Sequence, residues 1–428
     1  MKSIFSVIII MLLGVLPVNG QALQQLFPDA ALSAMISEAL TVNSDVRTAR
    51  LNVMQAKAQL RSIKLAYLPA FALAPQATLS KYQHQSLTKE YSLPLTMSWE
   101  INLAGGLTHE KNAQKSMWMS AESQLQYAQI QLVAAVANAY YTLVMLDRQL
   151  AITTESVKNQ QENLETIRAL KEVGDQNELA VSQAQASLHS TIASQSDLKL
   201  QIEKAETSLC LLLNRQPGNL QRSSWSDVKG IALDASKTID IQQLAQRPDV
   251  LAAEYQLRAA FSNVKVARSA LYPSLSISAN AGWTNNVGQI VNPAQFLLNA
   301  VGSLTQPLFQ KGKLRANLKV AKAQREQAQI AFEKALLTAG GEVKDALAEC
   351  QQSLAKQQAR KAQVNTSRKA YEASIDLMKY SSDVTYLDVL TAQSSYLNAQ
   401  LEQTSDWLQH QQGLINLYKA TCSSVQTY

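Results

Sequence analysis

The chain is written twice, and that constrains its fold more than any other feature. Residues 45–81 align without a gap on residues 249–285, at a constant offset of 204. Asp45/Asp249, Val46/Val250, Ala49/Ala253, Ala56/Ala260, Ala66/Ala270, Pro69/Pro273 and Ala77/Ala281 are identical, and Lys64/Arg268 keeps its charge. Further on, Asp175/Asp383, Leu179/Leu387, Val181/Val389, Ala184/Ala392, Gln185/Gln393 and Ser187/Ser395 match at offset 208. A duplication of this length predicts two structural halves in the same order, and hence a pseudo-symmetric object. The halves are expected at 21–213 and 241–428, joined by a linker at 214–240.

The missing glycines and prolines mark the helices. Residues 107–173, 175–216 and 342–412 contain neither residue type. At 1.5 Å per residue, the first of these stretches could form a helix roughly 100 Å long. Apolar residues recur at sevens in Leu125, Leu132, Ala139 and Leu146, then in Leu150, Val157 and Leu164 after a four-residue step. Val364, Tyr371 and Met378 repeat the pattern in the second half. Interrupted heptads describe coiled-coil-like packing with a local change of supercoil. Long helices are expected at 107–172, 178–213, 313–380 and 385–420.

Between the helices lie four segments of period two, expected as strands at about 70–82, 91–103, 274–284 and 295–309. In the second, Tyr91, Leu93, Leu95, Met97, Trp99, Ile101 and Leu103 take one face, and Ser92, Thr96, Ser98, Glu100 and Asn102 the other. In the third, Leu275, Ile277, Ala279, Ala281 and Trp283 oppose Ser274, Ser276, Ser278 and Asn280. Phe71, Leu73, Ala77 and Leu79, and Phe296, Leu298, Ala300, Leu304 and Leu308, are weaker versions. Such strands suit a transmembrane barrel, although Pro75 and Pro94 count against regular central strands. A soluble sandwich shows the same alternation, but it would not carry helices of this length.

Residues 1–20 read as an export signal: Lys2, an apolar run from Ile4 to Leu16, and small residues at Val18-Asn19-Gly20. No later segment has the ~20 consecutive apolar residues of a membrane-spanning helix. Basic and acidic residues are interspersed despite the net charge of +6, which argues against a nucleic-acid partner. Cys210, Cys350 and Cys422 are too few for a disulfide framework, and none lies where an N-terminal lipid anchor would attach. No phosphate-binding loop, metal cluster or catalytic constellation appears, so the expectation is a non-enzyme without cofactor. The isolated His84, His109, His189 and His410, and the Met117-Trp118-Met119 run, read as packing or surface residues.

Four strands cannot close a barrel, and an open sheet edge cannot survive in lipid. Two copies would give eight strands, whose interior is filled by their own side chains, whereas three would give twelve and leave a lumen. The expected architecture is mainly α with a transmembrane β-barrel. It is a homotrimer with four strands per chain, forming a 12-stranded barrel continued by a long periplasmic α-helical barrel.

Arg247-Pro248-Asp249-Val250, followed by Glu254, Leu257 and Ala260 and then Tyr272-Pro273-Ser274-Leu275, resembles the signature of the TolC-like outer-membrane efflux family. Leu304-Thr305-Gln306-Pro307-Leu308-Phe309 with Gly312, then Glu342-Val343 with Asp345-Ala346-Leu347, matches the rest of that pattern. The branch it is most similar to serves tripartite drug and metal pumps. The resemblance implies a trimeric outer-membrane channel, with a periplasmic adaptor and, indirectly, an inner-membrane pump as partners. A channel coupled to an ABC-type pump for protein or peptide secretion is the alternative. Many members of that branch carry a lipidated N-terminal cysteine, which this chain lacks.

The resemblance also assigns residues. The two helix reversals at 172–177 and 380–385 correspond to the family's periplasmic mouth and adaptor-docking tips. Val173, Gly174 and Asp175 would carry docking in the first, with Ser381 and Ser382 in the second. Asp388 falls where the family places an acid lining the constriction. A second acid one turn later is replaced by Thr391, so Tyr386 or Asp383 could complete the constriction. Threefold symmetry would gather the Asp388 carboxylates into a ring that favours cations.

Overall fold

The computed structural model describes residues 25–81, 83, 87–233, 244–285, 295–380 and 384–421. The expected export signal and the end of the linker, 234–240, lie outside them. The first half runs α1 (Ala30–Val42), α2 (Ser44–Leu65), β1 (Ala70–Leu73), β2 (Gln76–Ser80), β3 (Thr88–Asn102), α3 (Gly106–Glu172) and α4 (Glu178–Leu212). The second runs α5 (Pro248–Ser269), β4 (Ser274–Asn285), β5 (Gln295–Thr305), α6 (Lys313–Tyr380) and α7 (Tyr386–Thr421). The chain divides into two compact units. One comprises Arg50–Gln124 and Pro248–Ala335, and the other is the rest of the chain.

The first unit carries the sheet. Its strands are antiparallel in the order β1/β2, β3, β4, β5, so each half supplies a hairpin and the two hairpins meet at β3–β4. The register joins like to like. Leu95 faces Ala281, Trp99 faces Ile277 and Ile101 faces Leu275 across β3–β4, and Leu275 faces Leu304 across β4–β5. One face of the sheet is therefore continuously apolar, and much of it is exposed, including Phe71, Leu73, Leu79, Leu95 and Leu298. Burying such a surface in hydrocarbon removes the cost of wetting it. The outer edges of β1/β2 and of β5 have no strand partner among the described residues.

Both prolines leave their mark. The first strand, read as continuous over 70–82, breaks at Ala74-Pro75 into β1 and β2, because Pro75 has no N–H to donate to the ladder. Ala74 closes the gap by donating to the Pro94 carbonyl at 3.1 Å. Pro94 itself lies inside β3, opposite Gly282. A Cβ built at Gly282 would lie 2.2 Å from the Leu93 carbonyl oxygen and 2.6 Å from the Pro94 Cα. Only glycine permits that approach of backbones, which explains how a central strand tolerates proline.

The second unit is helical. Leu125, Leu132, Leu146 and Leu164 of the heptad series are buried. The apolar 18-residue window of α3 is 67% buried within the chain, so it reads as core. Asp29 caps α1 by accepting from the Ala31 and Leu32 amides at 3.0 and 3.1 Å, and also accepts the Tyr140 hydroxyl at 2.9 Å. The segment between the halves is stitched to the long helices. The Ser223 amide donates to the Tyr140 oxygen at 3.1 Å, and the Ile231 amide to Gln411 Oε1 at 3.0 Å. Arg222 donates to both Asp147 and Glu206, each at 2.5 Å. Cys210 and Cys350 are buried free thiols, whereas Cys422 lies outside the described residues.

The duplication survives as a pair of matched joints. At offsets of 204 and 208, Asn43 corresponds to Arg247 and Leu212 to Ala420. Asn43 donates its side-chain amide to the Leu212 carbonyl at 2.9 Å, holding the last turn of α4. Arg247 donates to the Ala420 carbonyl at 3.3 Å, holding the last turn of α7. The two joints differ in charge, because the buried Arg247 also pairs with Glu342 at 2.7 Å.

Candidate functional site: the helix reversals and the acid beside them

The first reversal is built by one glycine. Gly174 has φ +88°, the left-handed conformation that ends a helix. Its amide donates to the Lys171 carbonyl at 3.1 Å, and the Asp175 amide reaches back to Leu170 at 2.9 Å. These are the paired bonds of a Schellman termination, which satisfy carbonyls that α3 would otherwise leave open. Asn177 then caps α4, accepting from the Ala180 amide at 3.0 Å. Lys171 and Glu178 pair across the turn, but both are exposed, so the pair adds little. The outcome is a rigid turn that presents Val173 and Asp175 to solvent.

Directly behind it, Leu164, Ile167, Ala180, Val181, Ala184 and Leu188 pack with Tyr386 and Val389 in one apolar cluster. Val181 and Val389 are duplicates of each other, so this cluster joins the two halves along their pseudo-symmetry. Their neighbours Leu179 and Leu387, also duplicates, are 64% and 55% exposed. Sequence reading did not single out these two leucines. Their signal was their equivalence in the repeat, two residues before the buried valines.

On α7 the expected constriction residues separate by helix face. Tyr386, Val389 and Gln393 form the buried stripe at i, i+3 and i+7. Burial in the apolar cluster pushes the Tyr386 phenol up to about 12. The Tyr386 ring is thus packed in the apolar cluster and not on the exposed face of α7. Leu387, Asp388 and Thr391 lie on the exposed face. The Thr391 hydroxyl is turned back onto the Leu387 carbonyl at 2.8 Å.

Asp388 closes a capping box with Thr385. One carboxylate oxygen accepts the Thr385 hydroxyl at 2.6 Å and the Thr385 amide at 2.8 Å. These two bonds, the hydroxyl first, hold its carboxyl below the usual value. An exposed acid kept ionised and fixed in direction is a ready electrostatic element. Thr385 was not singled out from the sequence, although the Thr-x-x-Asp spacing carries the signal. Asp383, Ser381 and Ser382 lie outside the described residues.

Comparison with known proteins identifies the family and the fold. The family profile described as "Outer membrane efflux protein" matches residues 35–215 and again 241–423, once per half. The "Probable efflux pump outer membrane protein TtgC" of Pseudomonas putida is 31% identical over 420 residues, 94% of this chain and 84% of that protein. The "Cation efflux system protein CusC" of Escherichia coli is 28% identical over 382 residues, 86% of this chain and 81% of that protein. The solved structure of the outer-membrane channel OprN superposes with a TM-score of 0.87 at 26% identity, covering 94% of this chain and 92% of that one. With both halves matched, this chain belongs to the outer membrane efflux protein family.

Proposed function

We propose that this chain is the outer-membrane exit duct of a tripartite efflux system. It conducts small molecules or metal ions passively, with energy supplied by an inner-membrane pump acting through a periplasmic adaptor. The observation that carries the reading is the sheet: four strand positions, the first split into β1 and β2, with one continuous, exposed apolar face and two edges without partners among the described residues. Such a sheet is stable in lipid only when copies of the chain pair those edges. Three copies make twelve strands and leave a lumen, so the duct is a homotrimer. Efflux relatives such as TtgC and CusC favour export of small solutes over protein secretion.

The reversal at Val173, Gly174 and Asp175, with its counterpart at Ser381 and Ser382, serves as the adaptor-docking tip. The exposed Leu179 and Leu387 add matched apolar contacts, giving two similar docking sites per chain. Asp388 lines the constriction, three copies forming a ring that attracts cations, with Thr391 completing the same face and Asp383 beside it. Tyr386 supports that ring from behind by fixing the first turn of α7.

Site-directed crosslinking in cells tests the docking assignment. A photocrosslinker at Leu179 or Leu387 should capture the adaptor encoded beside this chain, whereas one at the buried Val181 should not. Absence of adaptor adducts from both leucines would refute docking at the tips.

A further inference from the structure

A cavity of about 300 Å³ lies in the helical unit, among α3, the inter-repeat segment, α6 and α7. That volume is at the lower end for small-molecule sites. Its walls have an unusual division of labour. Trp225 of the inter-repeat segment meets Trp407 of α7 edge to face, with ring centroids 4.7 Å apart, and Tyr141 also packs edge-on with Trp407 at 5.6 Å. Ile152 and Leu354 complete the apolar lining. The cavity therefore has an aromatic wall, against which a flat ring can pack offset or edge-on.

The polar lining sets two cations beside four glutamines and Thr404. Arg148 of α3 and Lys361 of α6 both face the cavity, and neither has a carboxylate partner among the described residues. Two of the acids nearby are already engaged. Asp406 is shared by Arg360 at 2.8 Å and Lys356 at 2.7 Å, and Glu402 pairs with Arg360. Of Arg148, Lys356, Arg360 and Lys361, the two without an ion pair among the described residues are those that line the cavity.

We propose that this cavity binds an amphipathic aromatic anion, its ring held by Trp225 and Trp407 and its carboxylate by Arg148 and Lys361. An arginine and a lysine lining the same cavity suit a carboxylate through charge-assisted hydrogen bonds. The occupant would contact three long helices and the inter-repeat segment at once. The site does not depend on the docking or constriction assignments, because none of those residues lines it.

The test is equilibrium binding of 1-naphthoate to the full-length protein held in amphipol, read by tryptophan fluorescence and by calorimetry. The expected result is saturable binding of one naphthoate per chain. It should weaken at least about tenfold in the Arg148→Gln/Lys361→Gln variant, and by a similar factor for the neutral 1-naphthalenemethanol. Lys361→Gln alone, at an exposed position, should already weaken binding severalfold without touching the fold. Lys356→Gln, whose ammonium pairs with Asp406 outside the cavity, should leave binding unchanged. No saturable binding to the wild type would overturn the proposal, as would equal affinity for the acid and the alcohol, or unchanged affinity in Lys361→Gln.

Discussion

Replacing Arg247 with methionine separates the two matched joints of the repeat. The arginine is 1% exposed, donates to the Ala420 carbonyl and pairs with Glu342, whose side chain is 34% exposed. Breaking a fully buried pair costs about 3–5 kcal/mol, because the survivor is left charged and dry. Glu342 is partly wet and can rehydrate, so the loss falls to about 2 kcal/mol, including the lost bond to the helix end. Two kcal/mol corresponds to roughly a 30-fold change in an opening equilibrium. Native-state hydrogen exchange reads that opening directly. Amides of the last turn of α7, at 417–421, should exchange about 30-fold faster in Arg247→Met. Amides at 209–213, the corresponding end of α4 held by Asn43, should not change. The double variant Arg247→Met/Glu342→Leu should recover most of the loss, since an apolar pair removes the stranded charge. Equal acceleration at both helix ends, or none at 417–421, would refute the reasoning.

Three other perturbations follow from the same contacts. Gly282→Val would drive a side chain into the Leu93–Pro94 backbone, so heat-modifiable oligomers should be lost from the outer-membrane fraction on gel electrophoresis. Gly174→Ala meets no neighbour but forces φ +88° on a side chain, a strain of about 1–2 kcal/mol, and should speed exchange and proteolysis at the first reversal only. The Asp388 carboxyl is held below its usual value, so the cap it forms is present above the unfolded carboxyl's titration and is lost as pH falls through the lower folded one. Thr385→Val should therefore move the acid limb of cation selectivity to higher pH in a bilayer pH series, and an unmoved limb would exclude Thr385 as the residue positioning Asp388.

The main features of the fold were legible because two periods do not mix. Runs such as Tyr91 to Leu103 alternate at two, while Leu125 to Leu164 repeat at seven, and the glycine-free stretches leave nowhere for a turn. What the alternation could not show was how Pro94 survives inside β3. That answer lies in a backbone approach at Gly282, nearly 190 positions away in sequence. Near the second reversal, the residue types of Tyr386 and Asp388 suggested one shared role, yet they sit on opposite faces of α7. The i, i+3, i+7 stripe of Tyr386, Val389 and Gln393 is the pattern that separates them. The aromatic cavity was invisible because Trp225 sits in a segment with no periodicity, and nothing local relates it to Trp407, Arg148 or Lys361. The pairing of Asn43 with Arg247 was hidden for a different reason. The two residues share a task but no chemistry, so identity across the repeat does not reveal them.

The central claim is a trimeric conduit whose narrowest point carries Asp388. Single-channel recording of the purified protein in a planar bilayer tests it most directly. The account predicts small, cation-selective steps from the wild-type trimer, and larger steps with weakened cation selectivity from Asp388→Ala. Wild-type protein that inserts but carries no current, or an Asp388→Ala variant with unchanged conductance and selectivity, would contradict it.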